Sequence, residues 1–322
     1  LPISHEERIT LEQALKAFDG TREEPVRRIR CHIDALRRYA EVLKNAREFN
    51  PAEEQLVKGI NIYEDALSRR LFPPSPDFGR LYADLGDLVY FTKDGDWEAA
   101  LAYYTRSEQN GWAPPEIQYR MGAAHYLLEE WPQAMERFFI ASGNLPLNRR
   151  ILYSLGNTAF KRGNYFAAQG YYSRLLDILE NQRSRLPLLL PNEEPEYVEL
   201  AERLMTARNN MGVTLEALTR ETGDNRYRSR ALALYAESAR AWDALTRNPR
   251  TMIRLLPLPG LYGPGVNPAY LNVRNSLNPV RDYEYYFFLP IDRDVLEPSE
   301  WEALAPPVYR LSGSGDGMPP AP

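Results

Sequence analysis

The chain has 322 residues, 44% of them hydrophobic, which is ample for a packed core. Its 39 basic and 44 acidic side chains leave a net charge of −5, which argues against a nucleic-acid surface. A single cysteine, Cys31, excludes an intramolecular disulfide, and no apolar run approaches the ~20 residues of a membrane-spanning helix.

The chain opens on Leu1 rather than Met, as expected of a processed or trimmed chain, and the sequence leaves open whether a signal peptide or anchor was removed. Residues 1–20 hold a short helix candidate ended by Asp19-Gly20. A long helix is expected over 25–49, opened by Pro25, with the seam Val26, Ile29, Ile33, Leu36, Ala40 and Leu43. Asn50-Pro51 is expected to stop it and start another, carrying Leu56, Ile60, Tyr63, Leu67 and Leu71. Residues 1–72 thus read as N-terminal helices, an antiparallel hairpin and candidate degenerate repeat. Pro73-Pro74-Ser75-Pro76 separates them from the central part of the chain.

Over 78–247 the chain repeats itself. Leu85-Gly86, Met121-Gly122, Leu155-Gly156 and Met211-Gly212 recur, followed by Ala100, Ala134, Ala168 and Ala231. An aromatic stands four residues after each alanine: Tyr104, Phe138, Tyr172 and Tyr235. Gly122 and Gly156 are 34 residues apart, as are Ala100 and Ala134, and Ala134 and Ala168. This period signals stacked helix-turn-helix repeats, which make binding surfaces more often than active sites. Four units are legible. An insertion falls near Asn181–Tyr197, and added residues fall around Gly223–Arg230.

Each signature residue has a mechanical reason. A glycine inside a helix costs roughly 1 kcal/mol relative to alanine, so its return at one phase marks a close helix crossing. The alanine is expected to be the small residue facing it on the second helix, and the aromatic to plug the next repeat. Gly95-Asp96, Gly163-Asn164 and Gly223-Asp224 punctuate the helices, the glycine ending one and the polar residue capping the next.

Residues 248–322 differ in character, holding half of the 26 prolines. That density forbids long helices, yet Tyr262, Tyr285, Phe287 and Trp301 are too apolar for a free linker. Residues 249–305 therefore read as an extended segment docked on the array, with a short helix at Ser299–Leu304 and a loose end at 311–322.

Reaction chemistry is thinly represented. His5, His32 and His125 fall on different helices, so no metal-ligand spacing exists and no cofactor is implied. The Gly260–Gly265 stretch resembles a phosphate loop only superficially, because Pro264 removes a donor. Glu193-Glu194 reads as solvated charge. No enzyme signature emerges, and no catalytic or metal-binding residue is assigned.

With these residues in place, the chain resembles the tetratricopeptide repeat family across 78–247, most closely at Glu116–Glu180, with Pro146 at the closing position. Most first-helix aromatic positions are replaced, and the last unit carries insertions. The resemblance implies an all-α fold, a right-handed superhelical solenoid of antiparallel helix pairs with an extended Pro/Tyr-rich C-terminal segment. By register it implies a concave partner-binding groove lined by Tyr90, Phe91, Tyr119, Tyr126, Tyr153, Asn157, Phe160 and Asn209, with Ala83, Asp87, Ala123, Val213 and Glu216 beside them. Such a wall suits an extended apolar peptide. The basic clamp of chaperone-binding members is missing, since Ala83, Asp87, Tyr119 and Ala123 occupy its places. The same tyrosine spacing equally serves packing between repeats, and the chain's own Tyr262–Phe288 is a candidate occupant.

The resemblance makes the expected function a non-enzymatic scaffold or adaptor for protein–protein interaction. A narrower resemblance lies in residues 200–290, at Asn209-Asn-Met-Gly-Val, Ala231-Leu-Ala-Leu-Tyr-Ala-Glu-Ser-Ala-Arg and Trp242-Asp-Ala-Leu-Thr-Arg-Asn-Pro. It is similar to spirochaetal repeat proteins, among them components of the periplasmic flagellar motor collar. That implies a periplasmic part of a large multi-protein assembly acting in motility; without it a cytoplasmic location is expected. The alternatives are a small-molecule or glycan-binding module, with Trp112, Trp131, Trp242 and Trp301 available for stacking, or an interaction domain trimmed from a larger enzyme.

Overall fold

The computed structural model describes residues 25–93, 95–144, 146–185 and 195–246, with Ile9, Gln13, Ala269, Asn272, Val273 and Ser276. The helix expected over 1–20, apart from those two positions, lies outside the described residues. So do the Gly260–Gly265 stretch, Glu193-Glu194, Ser299–Leu304 and 311–322. Ten helices and no strand occur among the described residues. They are α1 (Pro25–Asn45), α2 (Phe49–Ser68), α3 (Pro76–Thr92), α4 (Trp97–Gln109), α5 (Pro115–Leu127), α6 (Trp131–Asn144), α7 (Arg149–Lys161), α8 (Tyr165–Arg185), α9 (Pro195–Thr222) and α10 (Asn225–Thr246).

The chain divides into two compact units, Leu1–Glu130 and Trp131–Pro322. In the first unit α1 pairs with α2 and α3 with α4, while α2 packs on α3 and α4 on α5. In the second, α7 pairs with α8 and α9 with α10; α6 packs on α7 and α8 on α9.

The α1 seam buries Ile33, Ala40 and Leu43 against Leu56, Ile60 and Tyr63 of α2, and Leu36 is buried as well. Asn50-Pro51 does not end α1. The helix stops at Asn45, where Arg47 turns left-handed (φ 61°) and the Glu48 N–H reaches back to the Leu43 carbonyl at 2.9 Å. Pro51 then sits in the first turn of α2, where its missing N–H has no intrahelical partner to lose. Leu71 is not part of the α2 stripe either. The helix ends at Ser68, Leu71 is 39% exposed, and Ala66 and Phe72 are buried instead.

Gly163 (φ 74°) ends α7 in the left-handed region and Asn164 caps α8, accepting the Ala167 N–H at 3.1 Å. Gly95 (φ 89°) is also left-handed but lies three residues beyond the end of α3, which Lys93 closes, and the Asp96 side chain makes no capping bond. The added residues near 181–197 and 223–230 lengthen helices: α8 runs on to Arg185, α9 spans 28 residues and α10 spans 22.

The helix crossings differ from expectation in one respect. At Gly86, Gly156 and Gly212 the nearest partner of the glycine is the aromatic of its own pair, not the alanine. A Cβ on Gly86 would lie 2.7 Å from Cε1 of Tyr104, on Gly156 2.7 Å from Cε1 of Tyr172, and on Gly212 2.4 Å from Cε1 of Tyr235. The ring occupies the space where a side chain would have to stand. Ala100, Ala168 and Ala231, one turn earlier on the second helix, are fully buried beside it.

Candidate interaction site

The same three tyrosines carry polar chemistry across the crossing. Tyr104 donates its hydroxyl to Asp87 Oδ1 at 2.8 Å, Tyr172 to Asn157 Oδ1, and Tyr235 to Glu216 Oε2 at 3.0 Å. Asp87 and Asn157 each directly follow the crossing glycine. Burial first, then the neighbouring carboxylate, pushes the Tyr104 and Tyr235 phenols far above their ordinary range, so both remain donors.

Asp87 and Asn157 also receive a donor from the next first helix. In the first unit Arg120 Nη1 of α5 binds both Asp87 oxygens, at 2.7 and 2.8 Å. In the second, Asn210 Nδ2 of α9 binds Asn157 Oδ1 at 2.9 Å and the Tyr153 hydroxyl at 2.9 Å. Arg120 and Asn210 each stand two residues before their own glycine. One register therefore joins two pairs of first helices, by an ion pair in one unit and an amide pair in the other.

The eight predicted groove residues separate into two sets. Tyr90, Tyr119, Tyr126, Asn157 and Asn209 are buried, from 0% to 4% exposed. Phe91, Tyr153 and Phe160 are partly exposed. Tyr90 packs edge-on against Phe91 and Trp97, and the Arg120 guanidinium sits 5.4 Å from the Phe91 ring centre. In the second unit Tyr153 meets Tyr172 edge-on, and Phe160 lies beside Tyr165. Phe91 on the one side, and Tyr153 and Phe160 on the other, are thus aromatic rings on rigid helices with part of their surface open.

Asn209 has an unexpected neighbour: Asn272 Nδ2, from the Pro-rich segment, donates to Asn209 Oδ1 at 2.6 Å. Arg228 of α10 donates to the Ser276 carbonyl, and Val273 packs on the core of the second unit. Ala269, Asn272 and Ser276 are 0–3% exposed. These positions are helical, a correction to the extended reading at this point. Glu216 lies beneath them. Burial raises its carboxyl pKa, and hydrogen bonds with Ser276 and Tyr235 oppose the rise.

His125 bonds Glu130 Oε2 through Nδ1 at 2.6 Å. Among the described residues no group of three or more His, Cys, Asp or Glu is placed to hold a metal, and no helix is long and apolar enough to cross a membrane. Sequence reasoning missed Arg120, Asn210 and Asn272. The first two were visible as polar residues two before a repeated glycine. The third was visible in Ala269-Tyr-Leu-Asn-Val-Arg-Asn-Ser276, which is identical to Ala207-Arg-Asn-Asn-Met-Gly-Val-Thr214 at its first and fourth positions and similar at its fifth and eighth.

No family model and no curated protein matches the chain. Solved structures similar to it include YrrB, described as a TPR protein with an unusual peptide-binding site, at 13% identity and TM-score 0.47, covering 69% of this chain and 90% of that one. BtubC (BKLC) from P. vanneervenii is similar at 15% identity and TM-score 0.48, covering 76% and 92%. A tetratricopeptide repeat protein from Parabacteroides merdae is similar at 18% identity and TM-score 0.40, covering 70% and 78%. The architecture of this chain rests on its own helix pairs: an all-α stack of antiparallel pairs in each unit, closed at three crossings by a tyrosine over a glycine.

Proposed function

We propose that this protein is a non-enzymatic scaffold of tetratricopeptide type, binding protein partners on the inner faces of its first helices. One observation carries the reading: the register that joins α3 to α5 and α7 to α9, holding partly exposed Phe91, Tyr153 and Phe160 on fixed backbones. Such surfaces bind extended or helical protein segments through aromatic anchors. The carboxylates beside them support the same reading, because Asp87 is engaged by Arg120 and Tyr104, and Glu216 by Tyr235. Neither is poised beside a nucleophile.

At a finer level the scaffold is a building block of the spirochaetal flagellar motor collar in the periplasm. The resemblance of residues 200–290 supports this, as does a face suited to protein contact.

The test is capture of proteins from a spirochaete extract on the immobilised full chain, compared with Phe91→Ala and with Tyr153→Ala/Phe160→Ala. At least one protein, a motor component on the finer reading, should be retained by the parent and lost from a variant whose melting temperature is unchanged. Identical captured sets on parent and variants would overturn the assignment of these faces. Retention of glycans but no protein would overturn the scaffold itself.

A further inference from the structure

The four described residues of the Pro-rich segment sit at 269, 272, 273 and 276, the spacing of one helical face. That face reproduces the one α9 presents to its own neighbours. Ala269 corresponds to Ala207, Asn272 to Asn210, Val273 to Met211 and Ser276 to Thr214, and all four α9 counterparts are fully buried or nearly so.

The correspondence extends to the bond each asparagine makes. Asn210 of α9 donates to Tyr153, which stands three residues before the crossing glycine of the preceding pair. Asn272 donates to Asn209, which stands three residues before the glycine of α9. The segment meets α9 as a following first helix would, and Arg228 of α10 holds it through the Ser276 carbonyl.

The geometry points to the α9–α10 edge being a helix-binding site. Its ligand is a helical face of the form small-x-x-Asn-aliphatic-x-x-Ser, and Ala269, Asn272, Val273 and Ser276 of the same chain fill it as the face of a surrogate first helix. This deepens the scaffold reading and rests on it, since it names the ligand class for one edge of the array. A small residue suits the first position because Ala269 is 1% exposed, so a much larger side chain there would have to displace its neighbours. Asparagine is required because its amide meets a buried amide, where an aliphatic replacement would leave Asn209 Oδ1 without this donor. While the segment is docked, the apparent affinity for an added helix falls by the fraction of time that the edge is open.

The test uses the full chain and a fluorescent peptide of residues 266–279, titrated by anisotropy. Ala269→Trp should release the segment in cis, and that chain should bind the peptide about tenfold or more tightly than the parent. Adding Asn209→Leu should abolish the gain, and so should Asn272→Ala in the peptide. Equal affinity for parent and Ala269→Trp would overturn the proposal, as would a gain indifferent to Asn209. Should Ala269→Trp lower the melting transition of the whole chain, Asn272→Leu opens the edge with a smaller change and is held to the same outcomes. Failure here leaves partner capture by the inner faces intact. Failure of that capture, with the peptide gain present, strikes the scaffold reading instead.

Discussion

Asn210 reaches back to Asn157 at 2.9 Å, and Arg120 reaches back to Asp87 at 2.7 Å from the same place in its repeat. In each case a donor two residues before one glycine meets an acceptor one residue after the previous glycine. The acceptor is held from the other side by a tyrosine whose ring covers that glycine. Helix crossing and repeat stacking therefore share one polar atom cluster, and disturbance of either should be felt by both.

Gly156→Ala should destabilise the second unit by about 1–3 kcal/mol, because the new Cβ would lie 2.7 Å from the Tyr172 ring in a packed core. Gly170→Ala on α8 should do the opposite, adding about 1 kcal/mol, since a Cβ there meets nothing within 4 Å. Thermal melts of the two variants side by side check both signs.

Arg120→Met should cost about 3 kcal/mol, the low end for breaking a buried pair, because Arg120 and Asp87 keep 12% and 21% side-chain exposure. Asp87→Asn in the same chain should recover more than half of that loss, since asparagine still accepts from Tyr104. Denaturant melts of the single and double variants test this coupling.

Glu216 tests the end of the array by pH. Burial raises its carboxyl pKa in the fold, so its protonated form is favoured there. Its contribution to stability is full below the ordinary glutamate range and is lost as pH rises through the folded value. Glu216→Gln should therefore melt at the same temperature as the parent or higher at pH 7. The difference should close as the pH falls below the ordinary range. A variant that is less stable at pH 7 than at pH 4, relative to the parent, would contradict this.

Glu129 ends α5 in the left-handed region (φ 62°) with an exposed side chain, and its N–H bonds the Tyr126 carbonyl at 3.1 Å. Glycine relieves the crowding of a side chain there, at some cost in unfolded-chain entropy. Glu129→Gly should raise stability by about 0.5–1 kcal/mol, measurable by chemical denaturation.

Helix pairs, their period and their turns were legible in the sequence because each rests on neighbours within a turn or two. A glycine at one phase, an alanine and aromatic four apart, and Gly163 before Asn164 are local patterns that fold as they read. The candidate faces were only half legible. Helical register places Tyr90, Tyr119 and Tyr126 with Phe91, Tyr153 and Phe160, yet burial divides them, because neighbouring helices cover some of these side chains and leave others partly open.

Local pattern by itself determined that this chain is a succession of helix pairs with close crossings, since periodicity and glycine placement act over a few residues. Only the tertiary structure decided that each crossing tyrosine lies on its own glycine. It also decided that Arg120 meets Asp87 33 residues away and Asn210 meets Asn157 53 residues away. Asn272 docks on Asn209 across 63 residues for the same reason. Such bonds depend on which buried faces come together, and desolvated donors and acceptors choose among partners that sequence distance does not rank.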